Sequence, residues 1–195
     1  MKKDYFNGRT DADKKIIHLF VTDNCTHNCK LCCNKLYGID EIPVVTIEEL
    51  KNADTICLTG GEPFLIDEID DFAYRIKSQF PNIRQIYAYT CGDSLYHWLE
   101  RHPLYSLQNI DGVNISPKNK YDTDCVVKIF SNSDYKEELI SLWSNRIYLF
   151  PNIDSSRIDA LDLNGYESIK VMKREWQEDF EPDSGIFRRL PILFE

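Results

Sequence analysis

The sequence predicts a parallel α/β fold. Short apolar runs alternate with helical patterns, which is typical of strand–helix–strand units whose strands pair in parallel. Six apolar runs are candidate strands: residues 16–22, 54–59, 84–90, 110–116, 125–131 and 146–151. With 195 residues the chain is long enough to bury one substantial core. We therefore expect one domain over residues 1–195, with its core at about 16–151 and a C-terminal extension at about 152–195.

Four helical patterns fit between these strands. Residues 46–49, Thr-Ile-Glu-Glu, form a capping box that opens the first helix. Apolar residues recur at i, i+3 and i+4 spacing from Ile69 to Phe80, which predicts a second, amphipathic helix ending at Pro81. A third helix is predicted after Asp93, which is placed to cap it. The apolar positions of the third and fourth helices are assigned to the core: Leu95, Trp98, Leu99, Leu139, Leu142 and Trp143.

One connection departs from the pattern. Residues 117–124 are too short for a helical crossover, which takes about a dozen residues. Either the helix between the fourth and fifth strands is trimmed away, or one of the flanking strands is misplaced. Beyond the sixth strand, Tyr166 to Trp176 predicts a further helix, and an extension from Gly185 to Phe194 is placed to cover the open side of the sheet.

Composition and charge exclude several classes of function. The formal net charge of −9 and the pI of about 5.0 argue against broad binding to the phosphate backbone of nucleic acid. No run approaches the ~20 apolar residues of a membrane-spanning helix. Seven is an odd number of cysteines, and residues 1–6 lack the apolar stretch of a secretory signal. We expect a cytoplasmic protein that binds neither nucleic acid nor membrane.

Three cysteines directly follow the first candidate strand: Cys25, Cys29 and Cys32, spaced C-x3-C-x2-C. Soft thiolates on one loop suit an iron–sulfur cluster. A closed zinc site takes four protein ligands and a [4Fe–4S] cluster has four irons, so three cysteines leave one iron open. The alternative is a zinc site with Cys33 or His27 as the fourth ligand, although no second Cys or His pair follows at short range. We interpret Cys33 as a buried thiol and His27 as a loop residue or a partner of the ligands.

A second motif follows the second strand. Gly60-Gly61-Glu62-Pro63 comes directly after the apolar run at residues 55–58. A glycine pair lets the backbone approach a ligand closely, and the Glu62 carboxylate can accept hydrogen bonds from an ammonium group. With both motifs present in this order, the chain resembles the radical S-adenosylmethionine (radical SAM) superfamily over about residues 16–151. The resemblance implies a partial (β/α)6 barrel.

The resemblance also implies the cofactor sites. The three cysteines of the loop would hold a [4Fe–4S] cluster, and SAM would chelate the fourth iron. Gly60, Gly61, Glu62 and Pro63 would receive the methionine end of SAM. Thr90 belongs to a Thr-Cys-Gly stretch similar to the family's T-N-G near the ribose, with Cys91 in place of Asn. Ser116, at the end of the fourth strand, is the remaining cofactor-binding candidate.

The activity implied is reductive cleavage of SAM. An external electron donor of the flavodoxin or ferredoxin type would reduce the cluster, and the resulting 5′-deoxyadenosyl radical would take hydrogen from a small-molecule or peptide substrate. Lys118, Lys128 and Asn152 follow or lie within apolar runs away from the cysteine loop, so we expect them to line the substrate pocket. Residues 116–118, Ser-Pro-Lys, are similar to a stretch in the deazaguanine synthases.

Two other functions stay open. The chain's small size is similar to that of the glycyl-radical-enzyme activases, which act on a protein partner. A protein of a different class, one that binds metal without catalysis, could keep the same fold. Glu62 favours an enzyme, because a protein that only stored a cluster would not need a receptor for an ammonium group.

Overall fold

The structure, a computed structural model, describes residues 16–29, 32, 38–163, 165–175 and 185–194. Its strands are β1 (Ile16–Thr22), β2 (Thr55–Gly60), β3 (Gln85–Thr90), β4 (Gly112–Ile115), β5 (Asn145–Leu149), β6 (Ile169–Lys173) and β7 (Gly185–Phe194). Its α-helices are α1 (Ile47–Asn52), α2 (Ile69–Gln79), α3 (Asp93–Arg101), α4 (Lys120–Ser131), α5 (Ser133–Ser141) and α6 (Ser156–Asp159). Two 3-10 turns, Ile39–Glu41 and Pro63–Leu65, complete the described elements.

The strands form a single parallel sheet. Its order is β6-β5-β4-β3-β2-β1-β7, and each neighbouring pair is parallel. The edge strands β6 and β7 are not paired with each other within the described residues, so the sheet is unclosed there. This architecture confirms the predicted parallel α/β class and is consistent with a partial (β/α) barrel.

The predicted fifth strand is wrong, because residues 125–131 belong to helix α4. The buried residues of this run, Cys125, Val126, Ile129 and Phe130, recur with helical spacing. The helix starts earlier than its apolar residues suggest, since the side chain of Asn119 caps it by accepting a hydrogen bond from the backbone N–H of Asp122. A crossover helix therefore joins β4 to β5, and the second alternative, a misplaced strand, is the correct one.

Two further predictions, a helix after the sixth candidate strand and the burial of Trp143, are corrected. Residues 169–173 are strand β6, paired with β5, where the sequence predicted a helix from Tyr166 to Trp176. The extension at residues 185–194 is strand β7 and pairs with β1. Trp143, predicted to be in the core, is 75% exposed in the short link between α5 and β5.

The core fixes the segment that follows β2. Phe64, in the turn after Glu62, is fully buried, and its ring packs edge-to-face against Trp98 of α3 at a centroid distance of 5.9 Å. Burying a side chain of this size contributes about 1.5–3 kcal/mol. The indole N–H of Trp98 donates to the carbonyl of Asp67 at 3.2 Å, which ties α3 to the same segment. The position of Glu62 is therefore set by packing.

None of the helices in the described part of the chain is both long enough and apolar enough to cross a bilayer.

Candidate functional site

The carboxyl ends of the parallel strands lie along one edge of the sheet, and this edge carries the predicted site residues. β1 leads into the cysteine loop, β2 into residues 60–63, β3 into residues 90–92 and β4 into residues 116–118. The structure thus brings the two motifs to neighbouring strand ends, as parallel α/β topology requires. That these residues bind a cofactor stays a prediction.

The glycine pair fastens the cysteine loop to the end of β2. The backbone N–H of Gly61 donates to the carbonyl of Thr22 at 2.6 Å, and that of Glu62 donates to the carbonyl of Asn24 at 2.7 Å. A Cβ atom at Gly60 would lie 2.3 Å from the carbonyl oxygen of Thr22, and one at Gly61 would lie 1.9 Å from that of Asn24. We expected these glycines to admit a ligand, and the structure shows that they admit the backbone leading to Cys25.

We expect Gly61→Ala to loosen this junction. The new methyl group would overlap backbone atoms that cannot rotate away, so the free energy of unfolding should fall by about 1–3 kcal/mol. Gly38→Ala is the matched control, because its Cβ would meet only the flexible side chain of Glu41, at 3.3 Å. Thermal unfolding of both variants tests this prediction. Equal midpoints for the two variants would contradict it.

The Cys25 thiol lies within electrostatic reach of Cys29, Cys32 and Glu62. Cys25 is exposed as a residue, and Cys29 and Cys32 are partly buried. Desolvation of its sulfur raises the pKa of Cys25, and the charges of Glu62, Cys29 and Cys32 act in the same direction, while a hydrogen bond from the backbone N–H of His27 opposes them. Cys33 lies outside the described residues, so its predicted burial is not addressed.

Glu62 is buried at this edge, with 2% of its surface exposed. Its Oε2 atom lies 2.9 Å from both the backbone nitrogen and the sulfur of Cys91, and Oε1 accepts a longer hydrogen bond of 3.3 Å from the backbone N–H of Phe64. Burial raises the pKa of this carboxyl, and hydrogen bonds from Cys91, Thr90 and Phe64 partly offset the rise.

Thr90 and Ser116 lie side by side at the ends of β3 and β4. The backbone N–H of Ser116 donates to the carbonyl of Thr90 at 2.8 Å. Thr90 also hydrogen bonds to the Glu62 carboxylate, which it helps to hold ionised. The ammonium group of Lys118 donates to the Ser116 hydroxyl at 2.8 Å and lies 5.0 Å from the centre of the Phe150 ring.

The three residues predicted to line the substrate pocket do not all lie at the site edge of the sheet. Lys118 lies at the site edge beside Ser116. Lys128 does not, because it is on the exposed face of α4 with its ammonium group 5.0 Å from the centre of the Tyr96 ring on α3. This error follows directly from assigning residues 125–131 to a strand. Asn152 is exposed in the turn after β5.

Sequence reasoning missed a cluster of four side chains at the same edge. His27, Cys91, Asp93 and Asp122 each offer one potential ligand atom, and these atoms all lie within 4.8 Å of one another. Asp122 was overlooked because residues 117–124 were not recognised as the start of a helix. The available signal was Asn119 followed three residues later by an acidic side chain, a common pattern at helix N-termini.

No family model matches the sequence, and no curated protein matches it. Among solved structures, the chain is similar to one titled "Crystal structure of BtrN in complex with AdoMet and 2-DOIA". The two chains are 19% identical with a TM-score of 0.41 over 65% of this chain, and the match spans about half, 55%, of the BtrN chain. So low a TM-score does not by itself establish a common fold.

Proposed function

We propose that the chain is a radical SAM enzyme. It would hold a [4Fe–4S] cluster through Cys25, Cys29 and Cys32 and bind SAM along the ends of β2, β3 and β4. The observation that carries the proposal is the junction of the two motifs. The cysteine loop is hydrogen bonded directly to Gly61 and Glu62, and the Glu62 carboxylate is within electrostatic reach of the Cys25 thiol.

The donor set fits a cluster with one open iron better than a closed zinc site. A structural zinc site would need a fourth ligand. His27, the candidate within the loop, is directed elsewhere, because its Nε2 lies 2.8 Å from Asp122 Oδ1 and it groups with Cys91, Asp93 and Asp122. The other candidate, Cys33, lies outside the described residues. The three soft thiolates of the loop are then available as ligands for iron. The glycine pair holds this loop in place.

The chain's own residues would bind and orient SAM. A bound, reduced cluster would supply one electron for cleavage of a carbon–sulfur bond of SAM, which would give methionine and the 5′-deoxyadenosyl radical. Glu62 would accept a hydrogen bond from the methionine ammonium, and Thr90 and Ser116 would contact the nucleoside. Lys118 would contact a small-molecule or peptide substrate, and an external flavodoxin- or ferredoxin-type protein would supply electrons. The radical step needs a site closed to water, which the buried surroundings of Glu62 favour.

Anaerobic reconstitution tests the proposal without knowledge of the substrate. Protein supplied with iron and sulfide should hold about four irons per chain. After chemical reduction it should convert SAM slowly to 5′-deoxyadenosine, measured by liquid chromatography and mass spectrometry. Tetrahedral zinc bound by the three cysteines, with no uptake of iron, would overturn the proposal.

A further inference from the structure

We propose that His27, Cys91 and Asp93, with Asp122 orienting the imidazole, form a mononuclear site for a divalent transition-metal ion. This site is separate from the three cysteines of the loop. The inference does not rest on the proposed function, because none of its ligands belongs to the predicted cluster or to the Gly60–Pro63 motif.

The four side chains converge from three segments of the chain. His27 is on the cysteine loop after β1, Cys91 and Asp93 join β3 to α3, and Asp122 is in the first turn of α4. The Cys91 sulfur lies 2.8 Å from Asp93 Oδ1 and 3.8 Å from His27 Nδ1, and His27 Nδ1 lies 3.9 Å from Asp93 Oδ2. Ligands of a tetrahedral zinc ion lie roughly 3.3–3.8 Å apart, so small side-chain rotations would complete the geometry.

The imidazole has the arrangement of a metal-bound histidine. Its Nε2 atom is 2.8 Å from Asp122 Oδ1, while Nδ1 is turned toward Cys91 and Asp93. Metal-binding histidines commonly donate their second N–H to a carboxylate, which fixes the tautomer and the orientation of the ring. Asp122 is fully buried and is itself held by the backbone N–H of Lys118 at 2.7 Å. The hydroxyl of exposed Thr26, now 2.8 Å from Nδ1, would give way to the ion.

The hydrogen bonding around Cys91 favours a cation at this position. Its thiol has one hydrogen, yet Glu62 Oε2 at 2.9 Å and Asp93 Oδ1 at 2.8 Å both lie within hydrogen-bonding distance of the sulfur. When both carboxyl groups are ionised, one of them faces the sulfur without a proton between them. A metal ion that replaces the thiol proton would relieve both contacts.

Charge balance points the same way. Glu62, Asp93 and Asp122 are at most 6% exposed, and among the described residues the ion pairs of Asp93 and Asp122 are formed with His27 alone. If all were ionised, with Cys91 as a thiolate, the four acidic groups would carry four negative charges. A divalent ion together with one bound ammonium group would reduce this to one. A metal ion at this site, in addition to the cluster, is thus compatible with an ammonium group bound to Glu62.

The donors select the class of ion. A thiolate, an imidazole nitrogen and a carboxylate oxygen suit Zn²⁺ or Fe²⁺, whereas Mg²⁺ and Ca²⁺ prefer oxygen ligands throughout. Three protein ligands leave one coordination position, which a water molecule or a substrate group would occupy.

Zinc itself is the probe for the test. Reconstituted protein, with its cluster cysteines occupied by iron, is dialysed against Zn²⁺ and analysed for metal content. We expect one zinc per chain in addition to the cluster iron. Cys91→Ser should weaken zinc binding more than tenfold, and Asp122→Asn by about 10- to 100-fold, while Cys57→Ser, at a buried thiol on β2, should leave it unchanged.

A second measurement separates this site from the cluster. In a variant with Cys25, Cys29 and Cys32 all replaced by alanine, Co²⁺ should still produce thiolate-to-metal charge-transfer absorption, and the further change Cys91→Ser should remove it. Wild-type protein that retains no zinc would overturn the proposal, as would zinc that Cys91→Ser leaves undiminished. If only the iron reconstitution failed, that result would count against the radical SAM function. The cobalt measurement would still decide whether this metal site exists.

Discussion

The Cys29→Ala variant is expected to hold no [4Fe–4S] cluster after anaerobic reconstitution. Cys29 is one of three thiols on the loop that follows β1, and loss of any one leaves two protein ligands for a cluster that already has an open iron. Cys25→Ala and Cys32→Ala should behave in the same way. Iron and sulfide content, together with the visible absorption of the cluster, measure the effect.

The matched control is another cysteine of the same chain. Cys57 is buried in β2, where burial raises its pKa to about 12, so it remains a thiol at neutral pH. Cys57→Ala should therefore bind iron as the wild type does. Cys33→Ala should also keep most of the cluster, because adjacent side chains cannot readily share one coordination position. A cluster that survives Cys32→Ala and is lost in Cys33→Ala would show that the third ligand was chosen wrongly.

Sequence patterns predicted the elements whose periodicity is unambiguous. Helix α1 has the predicted capping box, with Glu49 N–H donating to the Thr46 hydroxyl, and α2 buries Ile69, Ala73 and Ile76 at the predicted spacing. Strands β1 to β4 coincide with the first four apolar runs to within a few residues. These elements carry the two motifs, so the sequence was sufficient to place the motifs at one edge of the sheet.

The errors arise where one pattern fits two structures. Residues 125–131, Cys-Val-Val-Lys-Ile-Phe-Ser, are rich in β-branched and aromatic side chains and are equally compatible with a buried strand. Tertiary context makes them a helix that covers the sheet, and this moved Lys128 away from the predicted pocket. Trp143 is a different kind of error, because it was predicted to be in the core and is exposed. A large apolar residue near a helix end need not be buried.

Contacts between distant loops cannot be obtained from local patterns. The predicted ligand contact of the glycine pair stays a prediction, but the sequence did not reveal that the backbone of residues 22–24 also approaches the pair. Likewise His27 and Asp122 are 95 residues apart in the chain and meet only in the folded protein. The parts of the site that depend on such pairs, including the cluster around Cys91, required coordinates.

The second large effect concerns Glu62. The Glu62→Gln variant should bind SAM roughly 10- to 150-fold more weakly while keeping its iron, because a hydrogen bond to a charged group contributes about 1.5–3 kcal/mol. The buried amide would also turn an N–H toward the backbone N–H of either Cys91 or Phe64, both of which donate to the native carboxylate. Glu68→Gln, at an exposed position before α2, is the control and should leave SAM affinity unchanged.

The pH dependence of SAM binding gives this prediction a second, more specific test. Only the ionised carboxylate accepts a hydrogen bond from an ammonium group, and burial raises the pKa of Glu62. SAM affinity should therefore be fully present above this pKa and decline as the pH falls through it, at a higher pH than an ordinary glutamate would give. In Glu62→Gln this acid-side decline should disappear, measured over a range in which the iron content stays constant. If the variant instead binds SAM as tightly as the wild type and keeps the same pH profile, the methionine end of SAM lies elsewhere, and the buried Glu62 serves only to hold the backbone of Cys91 and Phe64 in place.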